Sequence, residues 1–102
     1  MIAPARRRIV FTSAAEQDVA DAALWYDEHR PGLGEHFLRA IESAASAAAD
    51  APAQYPYVHA TLRRILVHRF PYALVFHESQ DELIVASCYH LHRDPTVWQS
   101  RG

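Results

Sequence analysis

The chain has 102 residues, 50% hydrophobic and 11% aromatic, a composition that folds as one domain and excludes a disordered chain. Its one cysteine, Cys88, excludes an internal disulfide and fits a reducing compartment; no apolar run nears the roughly 20 residues that span a bilayer, and no signal-peptide core follows the basic start, so a cytoplasmic protein without a membrane segment is expected. The formal net charge of −2 hides two halves: residues 13–51 carry eight acids against only Arg30 and Arg39, whereas residues 51–77 carry no acid but hold Arg63, Arg64, Arg69, His59, His68 and His77.

Arg8–Thr12 (RIVFT) is predicted to be a short strand, since β-branched and aromatic residues precede a helix-start signal. That signal is Ser13-Ala-Ala-Glu16, read as a capping box with Ser13 as the cap. Ala15, Val19, Ala22 and Tyr26 then recur at helical spacing, which predicts an amphipathic helix over 14–29 with Glu16, Gln17, Asp21 and Glu28 outward. Arg30-Pro31-Gly32 breaks it. A second helix is expected from Leu33 to Ala49, burying Leu33, Phe37, Ile41, Ala44, Ala45 and Ala48, and stopping at Asp50-Ala-Pro52. So short a link makes the two helices an antiparallel hairpin.

Residues 52–61 hold two prolines and no period, and are expected to be a loop. Leu62–Phe70, Tyr72–His77 and Leu83–Leu91 are predicted strands, with Pro71 in the first connection and a polar turn over Glu78–Glu82 in the second. Asp94–Trp98 is expected to make a short helical turn. The predicted class is α+β, ordered β-α-α-β-β-β. It implies an antiparallel meander that the first strand joins, with the helix hairpin on one face. Along Tyr72–His77 the side chains alternate, and Ala73, Val75 and His77 are expected to be the exposed set.

Four stretches carry a resemblance: the first helix with Trp25-Tyr26, the Pro31…Phe37-Leu38…Ile41 start of the second, Leu62-Arg63-Arg64 with Phe70-Pro71-Tyr72, and His90-Leu-His92-Arg93-Asp94-Pro95 before Trp98 and Arg101. In this order and spacing they resemble the RelE/ParE toxin family of type II toxin–antitoxin systems, the ParE branch in particular, over about residues 9–101. The resemblance implies a small α+β toxin that a cognate antitoxin wraps. It also implies one of two targets: DNA gyrase for ParE-like toxins, or mRNA on the ribosome for RelE-like ones. Toxin–antitoxin hetero-oligomers and a homodimer are both compatible with it.

Candidate site residues fall in the basic half and near the C-terminus. Arg64, Arg69 and Arg93 lie near strand ends, where they could converge on one sheet face to contact phosphate. The alternative is a solvated strand or a dock for an acidic antitoxin segment. His90 and His92, two apart on a strand, share a face; they could do acid–base work, or be structural histidines, or form half a metal site. No Cys or acid stands at a convincing ligand spacing, so neither a metal nor any other cofactor is expected. Tyr72, Tyr89 and Trp98 could stack on bases, or simply pack. Trp25-Tyr26 is expected to be packing.

The ten basic residues are all arginine, and VWQSRG at the C-terminus holds no tyrosine. As the family is known, RelE-type cleavage uses lysines and a tyrosine near the C-terminus. The resemblance therefore favours a ParE-like toxin that binds gyrase without chemistry of its own. Arg63, Arg64, Arg69, Tyr72, His92, Arg93 and Trp98 are then the expected contacts to target or antitoxin. The alternatives are a RelE-like endoribonuclease using His90 with Arg64, Arg69 and Arg93, and an inactive member that only binds antitoxin.

Overall fold

The computed structural model describes residues 7–92 and 96–99. Its elements run β1 (Arg8–Phe11), α1 (Ser13–His29), α2 (Leu33–Asp50), β2 (Tyr57–His59), β3 (Leu62–Leu66), β4 (Tyr72–Glu78), β5 (Glu82–His90) and α3 (Thr96–Gln99), with a 3-10 turn at Pro52–Gln54. The strands form one sheet in the order β1-β5-β4-β3-β2. β1 lies at an edge and is parallel to β5; the other neighbours are antiparallel. The expected α+β architecture is therefore present, with one strand more than expected.

The cap of α1 is Thr12 rather than Ser13. The Thr12 hydroxyl accepts from Ala15 N–H at 3.1 Å, and its carbonyl accepts from Glu16 N–H at 2.9 Å. The reason is tertiary: Thr12 N–H donates to Val85 O at 3.0 Å, which holds Thr12 in the extended conformation of the β1–β5 ladder. At the far end, Gly32 takes φ +89°, a left-handed turn that glycine makes without strain and that starts α2. α2 buries Phe37, Ile41, Ala44, Ala45, Ala48 and Ala49 on one stripe, so the predicted core face holds, except that Leu33 stays half-buried.

Two strand expectations change. Tyr57–His59, taken with its prolines for loop, pairs with β3 as an edge strand, the chain reversing at Ala60 with φ +49°. β3 stops at Leu66, not Phe70: Val67 N–H closes on Tyr72 O at 2.9 Å, and Arg69 at φ +72° turns the chain. Pro71 has no amide to give a ladder.

The sheet is buried on both faces. Against the helices lie Leu74, Phe76, Leu83 and Val85, packed on Phe37 and Ile41. On the other face Leu62, Ala73, Val75, Ala86 and Tyr89 form a second core with Trp98. The expectation that Ala73 and Val75 face solvent is thus wrong: both are fully buried, because Trp98 and Tyr89 lie across that face. His77 is half-buried.

β5 carries a bulge that decides which way its last residues point. Val75 pairs with Ser87 but Phe76 pairs with Val85, so Ala86 is an extra residue. Before it, Leu83 and Val85 face the helices. After it, Cys88 joins that core, and Tyr89 joins the opposite one.

Candidate functional site

The sequence candidates separate into three places. The first is the sheet face away from the helix hairpin. Arg64, opposite Val75 on β4, donates through Nη1 to the Tyr89 hydroxyl at 3.2 Å. Tyr89 lies 5.1 Å from the Trp98 ring, and His59 meets Trp98 edge-on at 6.4 Å. Trp98 is only 3% exposed, so in the chain by itself it packs, as does Tyr89. Neighbouring Arg63 points to the other face and is held within the chain. It donates to Tyr55 O at 2.6 Å and to the Tyr57 hydroxyl at 2.8 Å, and its Nε lies 3.4 Å from Glu78 Oε1.

The second place is a cleft of about 750 Å³ between α1 and the end of β5. The bulge turns His90 into it. The His90 ring meets Tyr72 edge-on at 5.1 Å and lies 5.3 Å from His92. His92 N–H donates to His90 Nδ1 at 3.1 Å, which leaves the ring proton on Nε2, directed away from that turn. The strand expected to carry both histidines ends at His90; His92 lies in the turn that follows, and both rings line the cleft. The opposite wall is α1, with Asp18, Asp21 and Trp25 at helical spacing. Asp18 accepts from the Ser87 hydroxyl at 3.2 Å and from Cys88 N–H at 3.1 Å. Burial, and then the Asp18 charge, push the Cys88 thiol up to about 12, so it stays protonated near neutral pH and is no nucleophile.

Trp25 corrects an expectation. Tyr26 packs inward on Phe37 and Phe70, at 5.2 and 5.0 Å, and burial followed by the Tyr72 neighbour raises its phenol. Trp25 is 53% exposed and stacks on His29 at 3.8 Å. Successive helix residues are about 100° apart, so both cannot face the core.

The third place is a groove of about 760 Å³ between the helix hairpin and the β3–β4 connection. Arg30, Arg39, Arg69, His36 and His68 line it, over Leu33 and Phe70, and no acid is among its lining residues. Arg30 and Arg39 come from the half of the sequence read as acidic. Their membership is invisible to a count along the chain, because it depends on how α2 folds back on α1.

Arg64, Arg69 and His90 therefore do not meet. Arg64 lies on one sheet face and His90 on the other, and Arg69 lines the groove whereas His90 lines the cleft, with Tyr26 and Pro71 between the two. Arg93, the remaining member of that set, lies outside the described residues, as do Asp94, Pro95 and Arg101. Among the described residues, no three His, Cys, Asp or Glu side chains are grouped to hold a metal ion. None of the described helices is long and apolar enough to cross a membrane.

A family model described as the ParE toxin of the type II toxin–antitoxin system parDE matches residues 9–95. A solved structure, described as the chromosomal ParDE TA system from P. aeruginosa, superposes with a TM-score of 0.74 at 15% identity. The match covers 83% of this chain and 96% of that one. No curated protein matches the chain in sequence.

Proposed function

Since the chain belongs to the ParE toxin family of type II toxin–antitoxin systems, we propose that it inhibits DNA gyrase by binding, without chemistry of its own, and that a cognate antitoxin neutralises it by covering its surface. The cytoplasm, where gyrase works, is then its place of action. The observation that carries the choice between binding and cutting is the separation of Arg64, Arg69 and His90. Cleavage of RNA would need a histidine within hydrogen-bond reach of a ribose hydroxyl and arginines about 3 Å from the developing phosphorane oxygens. Arg64 and His90, on opposite sheet faces, cannot serve one phosphate. A binding toxin needs no such convergence, and the exposed parts of Arg69, Tyr72 and His92 are available as contacts.

Purified protein added to a gyrase supercoiling reaction, and in parallel to ribosomes translating a defined mRNA, tests the proposal. Supercoiling is expected to fall while the mRNA stays whole. Cleaved mRNA with supercoiling intact would overturn it, and loss of that cleavage in His90→Ala would then assign the chemistry to the cleft.

A further inference from the structure

We propose that the groove between the helix hairpin and the β3–β4 connection is a seat for the phosphate backbone of duplex DNA. The use the chain makes of its arginines singles it out. Arg7 pairs with Glu78, Arg8 with Glu82 and Arg39 with Glu35, while Arg63 and Arg64 donate to Tyr55 O and to the Tyr89 hydroxyl. Arg30 and Arg69 have no ion pair or side-chain hydrogen bond among the described residues, and both line this one groove. Arg30 closes α1 and Arg69 lies in the β3–β4 connection, so two free guanidinium forks stand on the two banks. Arg69 also takes φ +72°, a conformation that glycine or asparagine adopts more readily, and residues held so tend to serve a contact.

The lining selects the occupant. It holds no acid, and His36, His68 and the Ser43 hydroxyl add donors beside the arginines. Leu33 and Phe70 are half-buried, and the exposed part of the lining is charged or polar apart from Pro31 and Pro71. A peptide helix needs apolar anchors to hold it in a groove, and little apolar surface is left here. A phosphate backbone needs only donors, matches the guanidinium fork and gains from the counterions it releases. A peptide carboxylate would merely take the place of Glu35 on Arg39. The groove also lacks an open platform for an unpaired base: Tyr26 and Phe70 turn their rings on one another and on Phe37, at 5.0 to 5.2 Å. No carboxylate or amide side chain in the lining can accept from a 2′-hydroxyl, so nothing in it selects RNA. Duplex DNA, with its bases already stacked and its phosphates outermost, fits, and such contacts carry no sequence preference. Glu42 and Asp50 line the adjoining hollow with Arg39, and the basic surface ends there.

The inference concerns the chain alone and holds whichever protein the toxin inhibits. Fluorescence anisotropy of a labelled duplex of about 20 base pairs, titrated with the protein from about 50 to about 200 mM salt, tests it. Three arginine–phosphate contacts predict a log–log salt slope of about −2.7. Arg30→Ala with Arg69→Ala is expected to cut the slope to about −0.9 and the affinity at the lowest salt at least about tenfold. Arg30→Lys with Arg69→Lys keeps both charges and is expected to stay near the wild-type slope. Arg7→Ala with Arg8→Ala removes the same charge at the β1 edge and is expected to leave binding within about twofold. Far-UV circular dichroism checks that each variant folds. A wild-type chain that leaves the anisotropy unchanged at the lowest salt would overturn the proposal. So would equal losses from the two alanine pairs, which would reduce the effect to net charge. A glutamate-rich peptide or an RNA duplex that binds more tightly than the DNA would overturn it too, and would give the groove to that partner.

Discussion

Gly34 sits where α2 crosses α1, and a Cβ there would lie 2.5 Å from Ala23 O and 2.7 Å from Asp27 Cγ. Its amide also donates to Asp27 Oδ1 at 2.8 Å. The crossing that sets the angle of the hairpin, and so brings Arg30 and Arg39 to one groove, depends on that missing methylene. Gly34→Ala is expected to lower stability by about 1–3 kcal/mol, since the obstacles are backbone and a bonded carboxylate. A urea midpoint that does not move would show that the helices part without cost. Nothing in the sequence marks Gly34 over Gly32, because the two serve different ends. Gly32 supplies a turn, which Arg30-Pro31-Gly32 announces; Gly34 supplies clearance, which depends on a neighbour eleven residues away in α1. Single-residue roles were legible where local, as for Phe37 and Ile41. They were hidden where a distant partner decides, as for Thr12, whose cap role follows from Val85.

The elements themselves were largely written in periodicity, apart from β2 and the end of β3. What periodicity omits is the bulge in β5. Strict alternation from Leu83 and Val85 would turn Tyr89 toward the helices and His90 away. The extra Ala86 exchanges them. Cys88 stays opposite Leu74, but β1 ends opposite Val85, and Asp18 of α1 takes the place of a strand there, accepting from Cys88 N–H at 3.1 Å and from the Ser87 hydroxyl at 3.2 Å. Asp18→Ala leaves these two groups in need of another acceptor, and is expected to cost about 1–3 kcal/mol. Hydrogen exchange locates the effect: the Cys88 amide should lose protection before those of Leu74 and Phe76 in β4. Equal protection of Cys88 in both proteins would mean that Asp18 does not hold the bulge. A helix–strand tie of this kind joins residues about 70 positions apart, and no spacing rule reaches that far.

For the whole molecule, the second core distinguishes the observed structure from a two-layer expectation. Trp98 covers Ala73, Val75 and Tyr89, and the sheet has no solvent-facing centre. Trp98→Ala is expected to destabilise by about 3–5 kcal/mol and to expose that face to a hydrophobic dye. Dye binding and midpoint unchanged from wild type would mean that Trp98 does not seal that face. Charge follows the same logic at this scale. The acidic and basic halves of the sequence do not become acidic and basic halves of the molecule, since Arg30 and Arg39 join Arg69 across the hairpin.

By itself the sequence determined the order and kind of the main elements, the helix hairpin and its core stripe, and the family to which those residues point. These rest on periodicity, turn residues and short motifs, all interactions within a few positions of the chain. The tertiary structure decided where the candidate site residues stand. It separated Arg64 from His90, turned His90 into the α1 cleft, buried Trp98 and gathered three arginines from two differently charged stretches. Each outcome depends on strand register, on one extra residue in β5 or on the crossing of two helices. Those are set by pairing and packing between segments far apart in the chain, which local pattern does not encode.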